Sequence, residues 1–241
     1  AVKINDWLGV GNTVAHAEKF GFKNLKPVLS LPLGSIEASP LQMVLAYAVF
    51  ANQGIYSEPI YILKVEDNKG RILEENKTKQ KQIISPENAY IVTNMLEGVL
   101  EPGGTGAGLR NIVTGNLAGK TGTTDEFKDA WFVGYSPSIS CAVWVGYDKG
   151  ESTNLVGSVV AGPIWAGLMK AAAQKSAIND FPKPNNIEII NICLDSGSIA
   201  SESCPRSSEI AFITGTSPDN ICYYHLPIHK WLWENWQIKR P

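Results

Sequence analysis

The sequence predicts an α/β fold that carries antiparallel strands. Three observations point that way. Ser-Pro pairs open two helical segments, at Ser39-Pro40 and Ser85-Pro86, each a capping Ser with Pro at the first helical position. Three short apolar or β-branched runs follow, at 116–124, 130–135 and 139–147, broken by turn residues such as Ser136-Pro137. Runs so closely spaced read as consecutive antiparallel strands. Composition agrees: 44% hydrophobic and 18% charged residues suit a folded chain with a buried core, and exclude a disordered one.

In chain order, residues 1 to about 26 predict a helix with Val10, Val14 and Ala17 on one face, stopped by Gly21. Pro27 to Ser35 reads as extended. The segment Leu41 to Ala51 is apolar on nearly every side, which predicts a buried helix ended by Asn52-Gln53-Gly54. Tyr61–Val65 and Arg71–Leu73 flank Asp67-Asn68-Lys69-Gly70, a hairpin pattern. A third helix runs from Ser85 through Leu100, and Glu101 to Gly108 is a glycine-rich loop. After the three strands, Pro163 to Ala173 predicts a further helix. The linker around Phe181-Pro182-Lys183-Pro184 sets a boundary near residue 180, dividing a main portion (1–180) from a Cys-bearing tail (181–241).

Charge and cysteine usage narrow the function classes. A formal net charge of -2 argues against nucleic-acid binding, which needs a basic surface. No run of eighteen apolar residues occurs, so the sequence holds no transmembrane helix. The chain opens on Ala1 inside a half-apolar helical pattern, which reads as a cut through a longer protein. Cys193, Cys204 and Cys222 crowd a Ser-, Gly- and Pro-rich tail, which reads as a disulfide staple in an oxidising compartment. Zinc is the rival, because Cys222 and His225 are three apart with Cys204 nearby. The absence of any CxxC pair leaves the disulfide favoured and no metal expected.

The sharpest local feature is Gly119-Lys120-Thr121-Gly122-Thr123-Thr124. As a phosphate loop of the form GxxxxGK[ST] it fails. Thr114 stands where Gly is required, and a strand follows where a helix should. As a KTG strand the residue types make sense. An ammonium favours an anionic substrate tail, Thr hydroxyls can bond a carboxylate, and Gly lets a substrate backbone approach closely. An N–H just beyond the Gly can help hold a developing oxyanion. Trp231, Trp233 and Trp236 read first as packing residues, with a partner or membrane-surface contact as the alternative. Ser152-Thr153-Asn154 reads as a solvated turn, and Asp125 with Glu126 as the tip of a hairpin.

Around KTG the resemblance becomes long and ordered. It runs through Gly34-Ser35-Ile36-Glu37-Ala38-Ser39-Pro40-Leu41-Gln42-Met43, Ala46 to Gly54, Gly104-Thr105-Gly106, Ala118 to Thr124, Asp129-Ala130-Trp131-Phe132-Val133-Gly134-Tyr135 and Val143 to Asp148. The chain resembles the C-terminal half of the transpeptidase domain of class A penicillin-binding proteins. That resemblance implies an antiparallel sheet flanked by helices, as in the penicillin-binding protein and β-lactamase fold, incomplete at its N-terminal side. The family works with SxxK, SxN and KTG motifs, the Ser of SxxK being the nucleophile. No Ser in this chain has Lys three residues on, and the family position of SxN would fall just before Ala1.

By resemblance, then, Lys120 is the catalytic residue that supports proton transfer. Thr121, Gly122 and Thr123 bind substrate, and the Thr123 backbone N–H is half of an oxyanion hole. Cys204 and Cys222 are the disulfide candidates, with Cys193 as competitor. The implied activity is serine D,D-transpeptidation of peptidoglycan stem peptides ending in D-Ala-D-Ala, inhibited by β-lactams and needing no cofactor. An upstream part of the same protein would be the partner, supplying the nucleophile and a membrane anchor on the extracytoplasmic side. The alternatives are a non-catalytic binding module, or a D,D-carboxypeptidase or β-lactamase-type hydrolase.

Overall fold

The computed structural model describes residues 1–175 and 179–226, and Trp231, Trp233 and Trp236 lie outside them. The chain divides into two compact units, the first Ala1–Pro182 and the second from Lys183 onward.

The first unit begins with two short helices, α1 (Val2–Leu8) and α2 (Val10–Glu18), where one was expected. Gly9 lies between them at φ 84°, a conformation that side-chain-bearing residues rarely adopt, and breaks the helix there. The stretch expected to be extended contains a 3-10 turn at Leu31–Leu33. Helix α3 (Pro40–Ala51) starts on a full capping box. The Gln42 N–H donates to Ser39 Oγ at 3.2 Å and the Ser39 N–H to Gln42 Oε1 at 2.9 Å. Only Ala46 and Val49 of α3 are buried, and Leu41 is exposed. The expectation of an all-round buried helix is thus corrected: one flank of α3 borders an open cleft, described below.

Two small antiparallel pairs come next. Strand β1 (Ile55–Ser57) joins β4 (Gln80–Gln82), and β2 (Lys64–Glu66) joins β3 (Ile72–Glu75) with a register shift at Val65/Glu66. The second pair is the expected hairpin, closed by Asp67, whose Oδ1 accepts the N–H groups of Lys69 and Arg71. Helix α4 (Pro86–Glu97) is capped by Ser85. Strands β5 (Ala118–Thr123), β6 (Asp129–Tyr135) and β7 (Ser140–Gly146) then form an antiparallel sheet in the order β5-β6-β7. Helix α5 (Ala161–Ala173) closes the unit.

The alternation of β6 decides what covers each face of this sheet. Phe132 and Gly134 face α5: the Phe132 and Trp165 rings sit 4.6 Å apart, and a Cβ on Gly134 would collide with the Trp165 ring. The core lies here, built from Leu100, Leu109, Val113, Leu117, Phe132, Trp165 and Met169. Trp131, Val133 and Tyr135 face the other way, where Tyr47 of α3 meets Tyr135 edge-on at 6.3 Å. The buried Tyr135 hydroxyl pairs with Thr93 Oγ1 of α4 at 2.9 Å.

The second unit carries an antiparallel pair, β8 (Ile187–Cys193) and β9 (Ser207–Ile213). All four cysteines of the chain are free, so the expected Cys204–Cys222 bridge is not formed. The physical reason is that Cys193 and His225 share the same small volume with these two thiols, the four ligand atoms all lying within 4.8 Å of one another.

Candidate functional site

Lys120, Thr121, Gly122 and Thr123 lie on β5, at one edge of the three-stranded sheet. The register sorts them by face. Lys120 pairs with Val133 and Gly122 with Trp131, so these two sit on the α3 side. Thr121 pairs with Phe132 and Thr123 with Ala130, so the two threonines sit on the α5 side.

Backbone direction follows from the same ladder. The Thr124 N–H donates to Asp129 O at 3.1 Å. Along an antiparallel pair alternate residues turn their N–H toward the partner strand. Thr121 and Thr123, with Gly119, are therefore the residues of β5 whose N–H and C=O groups turn away from β6. The Lys120 ammonium lies along that edge and donates to Thr121 O at 3.0 Å. Among the described residues no carboxylate pairs with it. An exposed, uncompensated ammonium beside free N–H groups makes this edge a receptor for an anionic, extended ligand.

Each threonine hydroxyl is held from the α5 side. Thr121 Oγ1 lies 3.0 Å from Thr105 Oγ1, and Thr123 Oγ1 accepts the Gly157 N–H at 3.1 Å. The Gly157 contact leaves the Thr123 hydroxyl proton free to be donated elsewhere. Gly157 can make this approach because it has no side chain. A Cβ there would run into the carbonyl oxygens of Trp131 and Gly122. The glycine-rich loop around Thr105 is an organised turn. Gly104 N–H bonds Glu101 O at 2.8 Å and Gly106 N–H bonds Val99 O at 2.9 Å.

On the α3 side the ribbon opens into a cleft of about 720 Å³. One wall is Lys120 to Thr124 with Trp131, Val133 and Trp144; the other is the segment Leu31 to Met43, with Tyr47. The volume is that of a small-molecule or peptide site. Asp129 stands at the ribbon's end. It accepts the Trp144 Nε1–H at 2.8 Å and the Thr124 hydroxyl at 3.0 Å, so its charge is spent on fixing the hairpin. Burial pushes the Tyr47 phenol up to about 12, which keeps it neutral in the cleft.

Other sequence expectations find their places. Asp125 and Glu126 form the tip of the β5–β6 hairpin, with a Glu126–Lys128 ion pair at 2.6 Å. Ser152-Thr153-Asn154 packs on that tip: Ser152 Oγ donates to Glu126 O at 2.6 Å and the Thr153 N–H to Phe127 O at 2.8 Å. Trp131, Trp144 and Gly157 were not singled out as site residues. For Trp131 a signal exists only once β5 and β6 are paired, when it falls opposite Gly122. For Gly157 none exists, because its contact with Thr123 spans 34 residues.

A family model described as penicillin binding protein transpeptidase domain matches residues 8–170, more than half of the chain. The chain belongs to that family. A second model, penicillin-binding protein 1A C-terminal domain, matches residues 183–227. Among curated proteins, penicillin-binding protein 1A of Aquifex aeolicus (strain VF5) is 38% identical over 92% of this chain and 30% of its own length. Penicillin-binding protein 2D of Bacillus subtilis (strain 168) is 33% identical over 92% of this chain and 33% of its own length. The chain thus spans about a third of the length of these relatives.

Among solved structures, penicillin-binding protein 1A from Haemophilus influenzae superposes with a TM-score of 0.82 at 26% identity. That match covers 92% of this chain and 39% of that one. PonA1 from Mycobacterium tuberculosis in complex with penicillin V gives 0.58 at 33% identity, over 68% of this chain and 46% of that one. The α/β fold with its antiparallel sheet and helices is therefore that of the penicillin-binding protein transpeptidases. No helix among the described residues is long and apolar enough to cross a membrane.

Proposed function

We propose that the β5 ribbon is one wall of a serine acyl-transfer pocket whose nucleophile and SxN motif lie on another segment. The observation that carries this reading is the edge position of Lys120 to Thr123, with the ammonium unpaired and the Thr123 N–H turned outward. Peptidoglycan stem peptides ending in D-Ala-D-Ala would be the substrate and β-lactams the inhibitors. A transpeptidase acting on them works on the extracytoplasmic face of the membrane.

In this mechanism a serine hydroxyl attacks the carbonyl of the penultimate D-Ala. The peptide C–N bond breaks, the terminal D-Ala leaves with the proton, and an acyl ester remains for an amine to take. Lys120 supplies positive potential beside the attacking hydroxyl and the substrate carboxylate. Thr121 and Thr123 hydroxyls bond that carboxylate, and Gly122 lets the substrate backbone lie close. The Thr123 N–H donates to the developing oxyanion. Loss of one such donor typically costs about 3–4 kcal/mol of transition-state stabilisation.

Labelled penicillin tests the reading. The 241-residue chain alone should take up no covalent label, since it has no Ser-x-x-Lys sequence. A polypeptide joining it to a segment with SxxK and SxN should be labelled stoichiometrically. A covalent adduct on the chain alone would overturn the proposal.

A further inference from the structure

We propose that Cys193, Cys204, Cys222 and His225 form a structural zinc site that staples the second unit. The ligand atoms of these four residues all lie within 4.8 Å of one another. His225 Nδ1 is 3.4 Å from Cys193 Sγ and 3.5 Å from Cys222 Sγ. A tetrahedral zinc with Zn–S of about 2.3 Å and Zn–N of about 2.0–2.1 Å places sulfur and nitrogen roughly 3.5–3.6 Å apart. The observed spacings match that edge.

The chain brings the ligands together from three directions. Cys193 ends β8 and pairs in register with Ser207, three residues beyond Cys204. Cys222 is held by its N–H to Ile199 O at 2.7 Å, just past the turn that follows β8. His225 follows Cys222 by three residues. Cys193 and Cys222 are fully buried.

The surroundings are those of a metal site and not of a disulfide. His225 aims Nδ1 at the sulfurs while Nε2 lies 3.3 Å from Asp195 Oδ2. Asp195 is itself held by Arg206. A carboxylate behind a ligating histidine fixes its tautomer and orientation at zinc centres. Ser201 directs its N–H at Cys204 Sγ at 3.3 Å, and its hydroxyl lies 3.4 Å from the same sulfur. Such donors stabilise thiolates. A disulfide would use two of the three sulfurs, leave the third as a buried or half-buried thiol, and give the His225–Asp195 pair nothing to do.

The unit also needs a staple. Its described part has one two-stranded ribbon and buries little beyond Ile187, Ile192 and Ala211. Two strands alone are marginally stable, and small units are commonly held by disulfides or metals. Zinc would bind three thiolates and a neutral imidazole, each thiol giving its proton to solvent.

Metal analysis of the full 241-residue chain, refolded with a slight excess of zinc, tests this. One tightly held zinc per chain is expected. Cobalt in its place should give the intense visible bands of a tetrahedral thiolate site. His225→Cys should keep the metal and strengthen the sulfur-to-cobalt charge transfer, whereas Cys193→Ser with Cys222→Ser should lower retention against a chelator at least tenfold. Absence of bound metal, or recovery of Cys204 and Cys222 as a disulfide from metal-replete protein, would overturn the site. So would undiminished metal retention in the double Ser variant.

Discussion

At the scale of single residues, the site depends on which groups are satisfied and which are left open. Thr93 and Tyr135 are satisfied. Thr93 Oγ1 bonds Ala89 O and the Tyr135 hydroxyl, each at 2.9 Å, and both residues are buried. Thr93→Val strands the Tyr135 hydroxyl and should destabilise the fold by about 1–3 kcal/mol in a denaturant titration. Adding Tyr135→Phe removes the stranded group and should return part of that loss. Lys120 is the contrasting case: among the described residues its ammonium has the Thr121 carbonyl and hydroxyl as its hydrogen-bond partners. Its removal should cost chemistry and leave stability nearly unchanged.

Elements place these residues. Helix α3 holds one wall of the cleft, and its start depends on the Ser39–Gln42 box. Ser39→Ala should cost ~1 kcal/mol of stability, measured by thermal or chemical unfolding, because an N-terminal amide loses its acceptor. The capped helix starts, the strands β5 to β7 and the helix α5 were legible in the sequence, since each is marked by a local device: Ser-Pro, a Ser-Pro turn, or an apolar run. What was not legible depends on contacts distant in sequence. The Thr123–Gly157 bond and the Trp131–Trp144 wall require the register of the sheet first. The division of the first helix at Gly9 is not legible from its apolar positions, because Val10, Val14 and Ala17 all lie after the break. The Ile187–Cys193 and Ser207–Ile213 pair was missed because Ser, Gly and Pro between them hid the alternation. Without that pair Cys193 has no reason to meet Cys204, and the cysteine count alone favoured a bridge.

For the whole molecule, the chain carries the sheet edge, the cleft wall and a second compact unit, and spans about a third of the length of its curated relatives. On the proposed function the reactive serine comes from another segment, and the contribution of this chain is electrostatic and positional. The rate at which labelled penicillin acylates the joined polypeptide, compared between Lys120 and Lys120→Ala, tests that claim most directly. The ribbon's role in transition-state stabilisation calls for a fall of roughly 10²-fold or more with unfolding stability retained. An unchanged acylation rate in the folded variant would contradict it.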